Sequence, residues 1–465
     1  MPQSDLIAAG FVGVAALLML GLSELLRKLG ASKEQSRKSA HLGSGFLACS
    51  FPWVFESPIS VAILTGGFAV LVIGAKRFGQ LQGVHGVERE SYGAAVFPMV
   101  IAVLFWITDG DPILYGIPIL VLTVSDSAAA LIGKGYGIKH YKALGEQRSL
   151  EGSLAFFTVT FIAVQVPLLL MSEDTGRLEC ILIALIVAVL TTCAEAISVR
   201  GLDNLFIPLL VSLSLHNFMA YTRIEIVDRT VALLGFGLFC LMSRRLNFVT
   251  ATGSIAGFLA LYATYSLGGN AWVFPIIAVY LLLFVLTKRL TVFVPVEPLG
   301  LSRIFQTIIV EILLLFGWHY TQEPALYIAF LAALSGTTAL IAARLGGRLG
   351  ASRGVGPISA WLAGVLTATL APGVGYYFIP DSAFELVALA TVAGWFCMLL
   401  VFFFRKNTAR FDCAICGQST HEPRHCGEQA TLSSGHRQWT TNRATMASIA
   451  LASGLTLLVT WTGIS

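Results

Sequence analysis

Apolar residues run through this chain in long blocks, each closed by charged residues, glycine or proline. The interruptions are spaced as in helices that cross a bilayer, whose hydrocarbon core takes about 20 residues to span. Such blocks begin near residues 5, 39, 58, 94, 112, 152, 178, 205, 227, 250, 271, 304, 325, 356, 383 and 444. The pattern predicts an all-α polytopic membrane protein with about 16 transmembrane helices. The first block lacks a cationic leader and a small-residue cleavage site, so it reads as a span and not as a signal peptide.

Composition agrees. The chain is 56% hydrophobic and 12% charged, with a mean hydropathy of +0.79, whereas soluble domains carry about 25% charged residues. The net charge of +4 is spread along the chain and supplies no nucleic-acid-binding face. Placement of the charge is more informative than its sum. With the N-terminus outside, the basic residues of the cytoplasmic loops and their flanks account for all 30 Lys and Arg except Arg177, Arg223 and Arg229, as the positive-inside rule requires. On this topology His41, Glu90, Asp126, Glu151, Glu195 and Asp203 map to the cytoplasmic ends of their helices. Acids at membrane depth are costly unless paired or functional, so a cluster on one face is a candidate site.

The polar stretch at 121–153 is the strongest such candidate. An apolar run ends in Ser125-Asp126-Ser127, followed by Gly133-Lys134-Gly135-Tyr136-Gly137, then Arg148-Ser149-Leu150-Glu151-Gly152-Ser153 at the start of the next run. Phosphoryl transfer from a nucleoside triphosphate needs a divalent cation held by hard carboxylates. It also needs cations and backbone N–H groups to spread the transition-state charge. Asp126 and Glu151 are the candidate Mg²⁺ ligands. Lys134, Arg148, Gly133 and Gly137 suit the phosphates, and Gly152-Ser153 opens a helix, where anions bind. The plainer alternatives are a re-entrant loop with structural acids or the ion site of a transporter. Glu195 with Gly201-Leu202-Asp203-Asn204 forms a second polar cluster on the same face, readable also as turn and cap chemistry. Arg37, Lys38 and His41 lie within one helical turn of each other, fit to contact phosphate or to anchor the span. Glu88-Arg89-Glu90 precedes the fourth span on that face.

In order and spacing these segments resemble the CTP-dependent isoprenoid-alcohol kinases, the family of phytol kinase and dolichol kinase within the phosphatidate cytidylyltransferase superfamily. The carrying residues are Arg37-Lys38-x-x-His41, Arg89-Glu90-Ser91-x-Gly93, Ser125-Asp126-Ser127, Gly133-Lys134-x-x-Gly137, Ser149-x-Glu151-Gly152-Ser153 and Glu195 with Gly201-Leu202-Asp203-Asn204. Arg148 stands where that family usually has lysine. The resemblance implies transfer of the γ-phosphoryl group of a nucleoside triphosphate, CTP by preference, to the hydroxyl of a membrane-borne isoprenoid alcohol. Asp126, Glu151, Arg148 and His41 would be catalytic. Lys134, Gly133, Gly137, Ser149, Gly152, Ser153, Arg37, Lys38, Glu195, Asp203 and Asn204 would bind nucleotide and phosphate. The alternatives are CDP-lipid synthesis from phosphatidate and a non-enzymatic transporter or scaffold.

The expected domains are 1–225, kinase-like; 226–404, a second membrane domain; 405–443, a cytoplasmic polar segment; and 444–465, a terminal span. The second domain resembles the family that includes plant phytyl-phosphate kinase, through Thr252-Gly253-Ser254-Ile255-Ala256-Gly257, Thr287-Lys288, Arg303-x-x-Gln306 and the glycines Gly354, Gly356 and Gly364. Leu334-Ser335-Gly336-Thr337-Thr338 occupies the place of that family's Ala-Asp-Thr block, and Glu311 is the one acid in its membrane interior. A degenerate, non-catalytic domain is expected there. In 405–443, Cys413-x-x-Cys416 and His425-Cys426 suit a small zinc knuckle, with His421 the alternative fourth ligand and a structural role for the Zn²⁺.

Overall fold

A computed structural model gives the protein's structure over residues 2–77, 93–143, 146–198, 201–291, 298–351 and 356–377, with residues 391, 392 and 395. The segment from Glu88 to Tyr92, the zinc-ligand candidates Cys413, Cys416, His421, His425 and Cys426, and the expected terminal span lie outside the described residues. The chain divides after Gly235 into two compact units. Among the described residues seven helices are long and apolar enough to cross a membrane, and three shorter apolar helices accompany them. The all-α membrane architecture therefore holds.

The first unit begins with α1 (Gln3–Lys28), which leaves Leu6, Phe11 and Leu18 exposed, as a lipid-facing helix does. α1 is fastened at both ends. Near its start the buried Asp5 carboxylate accepts from the backbone N–H groups of Glu56 (3.0 Å) and Ser57 (3.1 Å). Near its end Ser23 and Ser36 are hydrogen-bonded, and the Ser36 hydroxyl donates to the Ser23 carbonyl. α2 (Lys33–Cys49) starts with a capping box between Ser32 and Gln35, which satisfies two otherwise orphaned N–H groups.

The short α3 (Phe51–Val54) and α4 (Pro58–Arg77) follow, then α5 (Gly93–Thr108). Asp109 and Gly110 adopt positive φ, Asp111 caps a single π-helical turn at Pro112–Gly116, and α6 (Ile117–Tyr136) continues from it. Two four-residue strands, β1 (His140–Ala143) and β2 (Glu146–Ser149), form an antiparallel hairpin with Tyr141 opposite Arg148. The sequence pattern did not predict them. α7 (Leu150–Met171), α8 (Arg177–Ile197) and α9 (Asp203–Met219) complete the series, and α10 (Arg223–Arg245) carries the chain across the division after Gly235.

The core of this unit is built from Phe51, Phe97, Leu104, Phe105, Tyr115 and Leu122. α6 lies at its centre, packed against α2, α7 and α9. Half of the 112–136 span is buried, and Thr123, Ser125 and Ser127 lie on its buried side.

The second unit carries α11 (Ala251–Gly268), α12 (Asn270–Thr291), α13 (Leu301–Thr321), α14 (Pro324–Ala351) and α15 (Gly356–Tyr376). Trp272 is its anchor, with Trp318, Tyr327 and Phe330 rings between 4.5 and 5.2 Å away. The Thr252-Gly253-Ser254 motif opens α11. The Thr250 hydroxyl caps Gly253, and a Cβ at Gly253 would lie 2.3 Å from the Leu299 carbonyl. Glycine there permits two backbones to touch.

Candidate active site

A missing side chain lets α2 and α6 meet. A Cβ on Gly45 would stand 2.0 Å from the Thr123 Oγ1, well inside any allowed contact, so only glycine lets the helices approach this closely. Lys38 and His41 lie on the Gly45 face of α2, and Asp126 lies one turn beyond Thr123 on α6. The Lys38 ammonium donates to the Asp126 Oδ2 at 2.5 Å and to the Asp126 carbonyl at 3.1 Å. Its side chain is only 2% exposed. A buried ammonium must be paired to be tolerated, and Asp126 is the partner.

The His41 Nε2 is 3.6 Å from the same carboxylate oxygen and 3.4 Å from the Leu122 carbonyl. Both neighbours are acceptors, which assigns the proton of a neutral ring to Nε2. The ring rests on Phe97, centroids 4.8 Å apart.

α8 and α9 bring further charge. Arg148, at the base of the hairpin, pairs with Glu195 near the end of α8 and donates to the Ser198 carbonyl at 3.0 Å. Both side chains of this pair are largely buried. Asp203, at the start of α9, is close enough to Asp126 for the two charges to repel, with Arg148 and Lys38 as the compensating cations. Asn204 donates from its side chain to the Gly93 carbonyl at 3.0 Å, joining α9 to α5. Asp126, Asp203, Lys38, His41, Arg148 and Glu195 thus form one centre, fed by four helices and the hairpin.

The stretch from Gly133 to Ser153 is tied together by its own backbone and hydroxyl groups. Glu151 is not among the partners of Asp126. Its carboxylate accepts from the backbone N–H groups of Ile138 (3.1 Å) and Lys139 (3.2 Å) and so fixes the link between α6 and the hairpin. Ser149 caps α7, accepting from Gly152 N–H at 3.1 Å, and the Tyr141 and Ser153 hydroxyls are 2.7 Å apart. A Cβ on Gly133 would meet the Ser149 hydroxyl at 3.0 Å. One on Gly137 would meet the Gly133 carbonyl at 2.2 Å, and one on Gly152 the Ala129 carbonyl at 3.0 Å. These three glycines let α6, the hairpin and α7 pack against one another. Each of them thus has a packing role.

Lys134 and Arg37 are brought together by a residue that the motif reading passed over. Glu34, in the first turn of α2, gives one carboxylate oxygen to Arg37 at 2.5 Å and the other to Lys134 at 3.0 Å. Burial opposes its charge, yet the two cations hold its carboxyl below the usual carboxylate range. The available sequence signal was an acid three residues before Arg37 on a helix, a spacing at which side chains pair.

Among the described residues no group of three or more His, Cys, Asp or Glu side chains is arranged to enclose a metal ion. Asp126 and Asp203, whose like charges repel, would suit Mg²⁺, which typically takes one or two protein carboxylates and completes its shell with water and substrate phosphate. Glu151, the other expected Mg²⁺ ligand, has its oxygens on the backbone amides of Ile138 and Lys139.

The chain is 31% identical to the phytol kinase of Synechocystis sp. over 208 residues, 44% of this chain and 86% of that protein. No protein-family model and no solved structure matches it.

Proposed function

The chain belongs to the phytol kinase family of isoprenoid-alcohol kinases, and on that premise we propose that it transfers the γ-phosphoryl group of a nucleoside triphosphate, CTP by preference, to the hydroxyl of an isoprenoid alcohol such as phytol, geranylgeraniol, farnesol or dolichol. The observation that supports this is the convergence of Asp126, Asp203, Lys38, His41, Arg148 and Glu195 on one end of the first unit's helices. Every motif that carries the family resemblance falls in that unit.

Phosphoryl transfer asks little covalent chemistry of a protein and much positioning and charge. Asp126 and Asp203 would hold Mg²⁺, which when bound neutralises phosphate charge. Lys38 and the Nε2–H of His41 fix the Asp126 carboxylate in place, and Glu195 does the same for Arg148. Arg37 and Lys134, both more exposed than the acid between them, would receive the phosphates from the cytoplasmic side. Glu151, Ser149, Gly133, Gly137 and Gly152 maintain the frame.

The second unit we take to be non-catalytic, a lipid-binding or assembly partner. Its buried acid Glu311 accepts from Thr337 at 3.0 Å and has no second carboxylate in the expected block. From the sequence alone we assign a structural Zn²⁺ to Cys413, Cys416, Cys426 and His425.

Purified full-length protein, reconstituted with γ-labelled CTP or ATP, Mg²⁺ and phytol, farnesol or geranylgeraniol, is expected to yield labelled lipid phosphate. Formation of CDP-lipid from phosphatidate instead would sink the kinase reading, and less than one equivalent of zinc by metal analysis of the same preparation would sink the zinc assignment.

A further inference from the structure

Glu34 lies at the point where two cations from separate helices meet. It is largely buried at the start of α2, while Arg37 is about one-third exposed and Lys134 about two-thirds exposed (37% and 65%). One carboxylate oxygen faces each cation, although Glu34 and Lys134 are 100 residues apart in sequence. Arg37 is also a neighbouring charge of both Asp126 and His41, so the pair adjoins the central cluster. Lys134 is on the same helix as Asp126, about 12 Å further along at 1.5 Å per residue.

The donor count decides what such a bridge does. An ammonium has three N–H donors and a guanidinium five. The structure records one from each directed at Glu34. Among the described residues the rest meet no other acceptor and are left for an anion arriving from the solvent side. Arginine and lysine side chains each lose considerable rotamer freedom when fixed, and a buried acid that has already oriented both removes part of that cost at the moment of binding.

Resting on the kinase reading above, we propose that Glu34 is a positioning residue for the nucleotide. It sets Arg37 and Lys134 side by side as a two-cation clamp for the polyphosphate of the donor, and it has no direct role toward the alcohol. The proposal concerns affinity for one of the two substrates, so it separates from a general structural role.

The test uses the full chain in lipid nanodiscs and reads nucleotide KM, alcohol KM and kcat separately, with binding of a fluorescent nucleotide analogue as a readout independent of turnover. Glu34→Gln keeps the shape but cannot accept from both cations. It should raise nucleotide KM about tenfold, equivalent to about 1.4 kcal/mol, and leave alcohol KM and kcat within about twofold. Lys134→Met should raise nucleotide KM by itself, and adding Glu34→Gln to it should cost clearly less than in the wild type, because the partner is already gone. Glu34→Asp, shorter but charged, should restore part of the affinity and serves as the control for folding.

Three results overturn the proposal: an unchanged nucleotide KM in Glu34→Gln, a tighter one (which would make Glu34 a latch that competes with phosphate), or strict additivity with Lys134→Met. A wild-type protein that binds no nucleotide would instead overturn the kinase reading, and this inference with it.

Discussion

Lys38 and Asp126 are a pair of unequal partners. The lysine side chain is 2% exposed and the aspartate 22%, so losing one is not equivalent to losing the other. Asp126→Asn leaves a buried ammonium without its counter-charge, a loss of about 3–5 kcal/mol for a broken buried pair. Lys38→Met leaves a carboxylate that water can reach, and it should cost clearly less. Both substitutions should lower kinase activity by at least about a hundredfold if Asp126 organises phosphate charge. Thermal unfolding in detergent should rank Asp126→Asn below Lys38→Met in stability, and the reverse order would show that the pair is not the buried contact described.

The members of this site could be named from the sequence because charge in an apolar chain is conspicuous. Their pairing could not, since Lys38 finds Asp126 across 88 residues and Arg148 finds the Ser198 carbonyl across 50. Glu34 escaped notice because an acid among the bases of a helix's first turn looks like ordinary surface charge.

At the scale of elements, the fit of α2 on α6 depends on Gly45. Gly45→Ala would drive a methyl group into Thr123 and should destabilise the first unit by about 1–3 kcal/mol, the usual cost of overpacking. Because Lys38 and His41 reach Asp126 only through this contact, activity should fall with it. Pairing Gly45→Ala with Thr123→Ala removes the obstructing atoms and should recover much of both losses. Failure of the double variant to recover stability would mean that the helix crossing is not set by this contact.

The helices were legible from runs of apolar residues, which need no knowledge of what they pack against. The hairpin was not. Its two strands are four residues each and carry charge, and β2 has no apolar residue, so no sustained apolar alternation marks the pair. The glycines of the same region can be read in two ways. Gly133, Gly137 and Gly152 have the spacing of a phosphate-binding loop, but glycine answers any demand for close approach, whether from a ligand or from a neighbouring helix.

For the molecule as a whole, the two units differ in how they treat polar groups. The first concentrates paired acids and bases around α6. Among the described residues of the second, the buried acid Glu311 meets the Thr337 hydroxyl and has no cation paired with it. A lone acid in that setting cannot arrange a polyphosphate, so Glu311→Gln is expected to leave lipid-alcohol phosphorylation within about twofold of wild type. A loss beyond tenfold in folded protein would make the second unit part of the catalytic apparatus.

α1 exposes its flank to lipid but is clasped at Asp5 and again at Ser23. At 1.5 Å per residue these clasps stand about 27 Å apart, close to the roughly 30 Å of a bilayer's hydrocarbon core. A free helix can meet a thinner bilayer by tilting. α1 has no such independence, because a tilt would pull on the loop at Glu56–Ser57 and on the start of α2 at Ser36. The start of α2 carries Glu34, Arg37 and Lys38. A change in bilayer thickness is therefore expected to pull, through this one helix, on the side chains proposed to meet the phosphate donor.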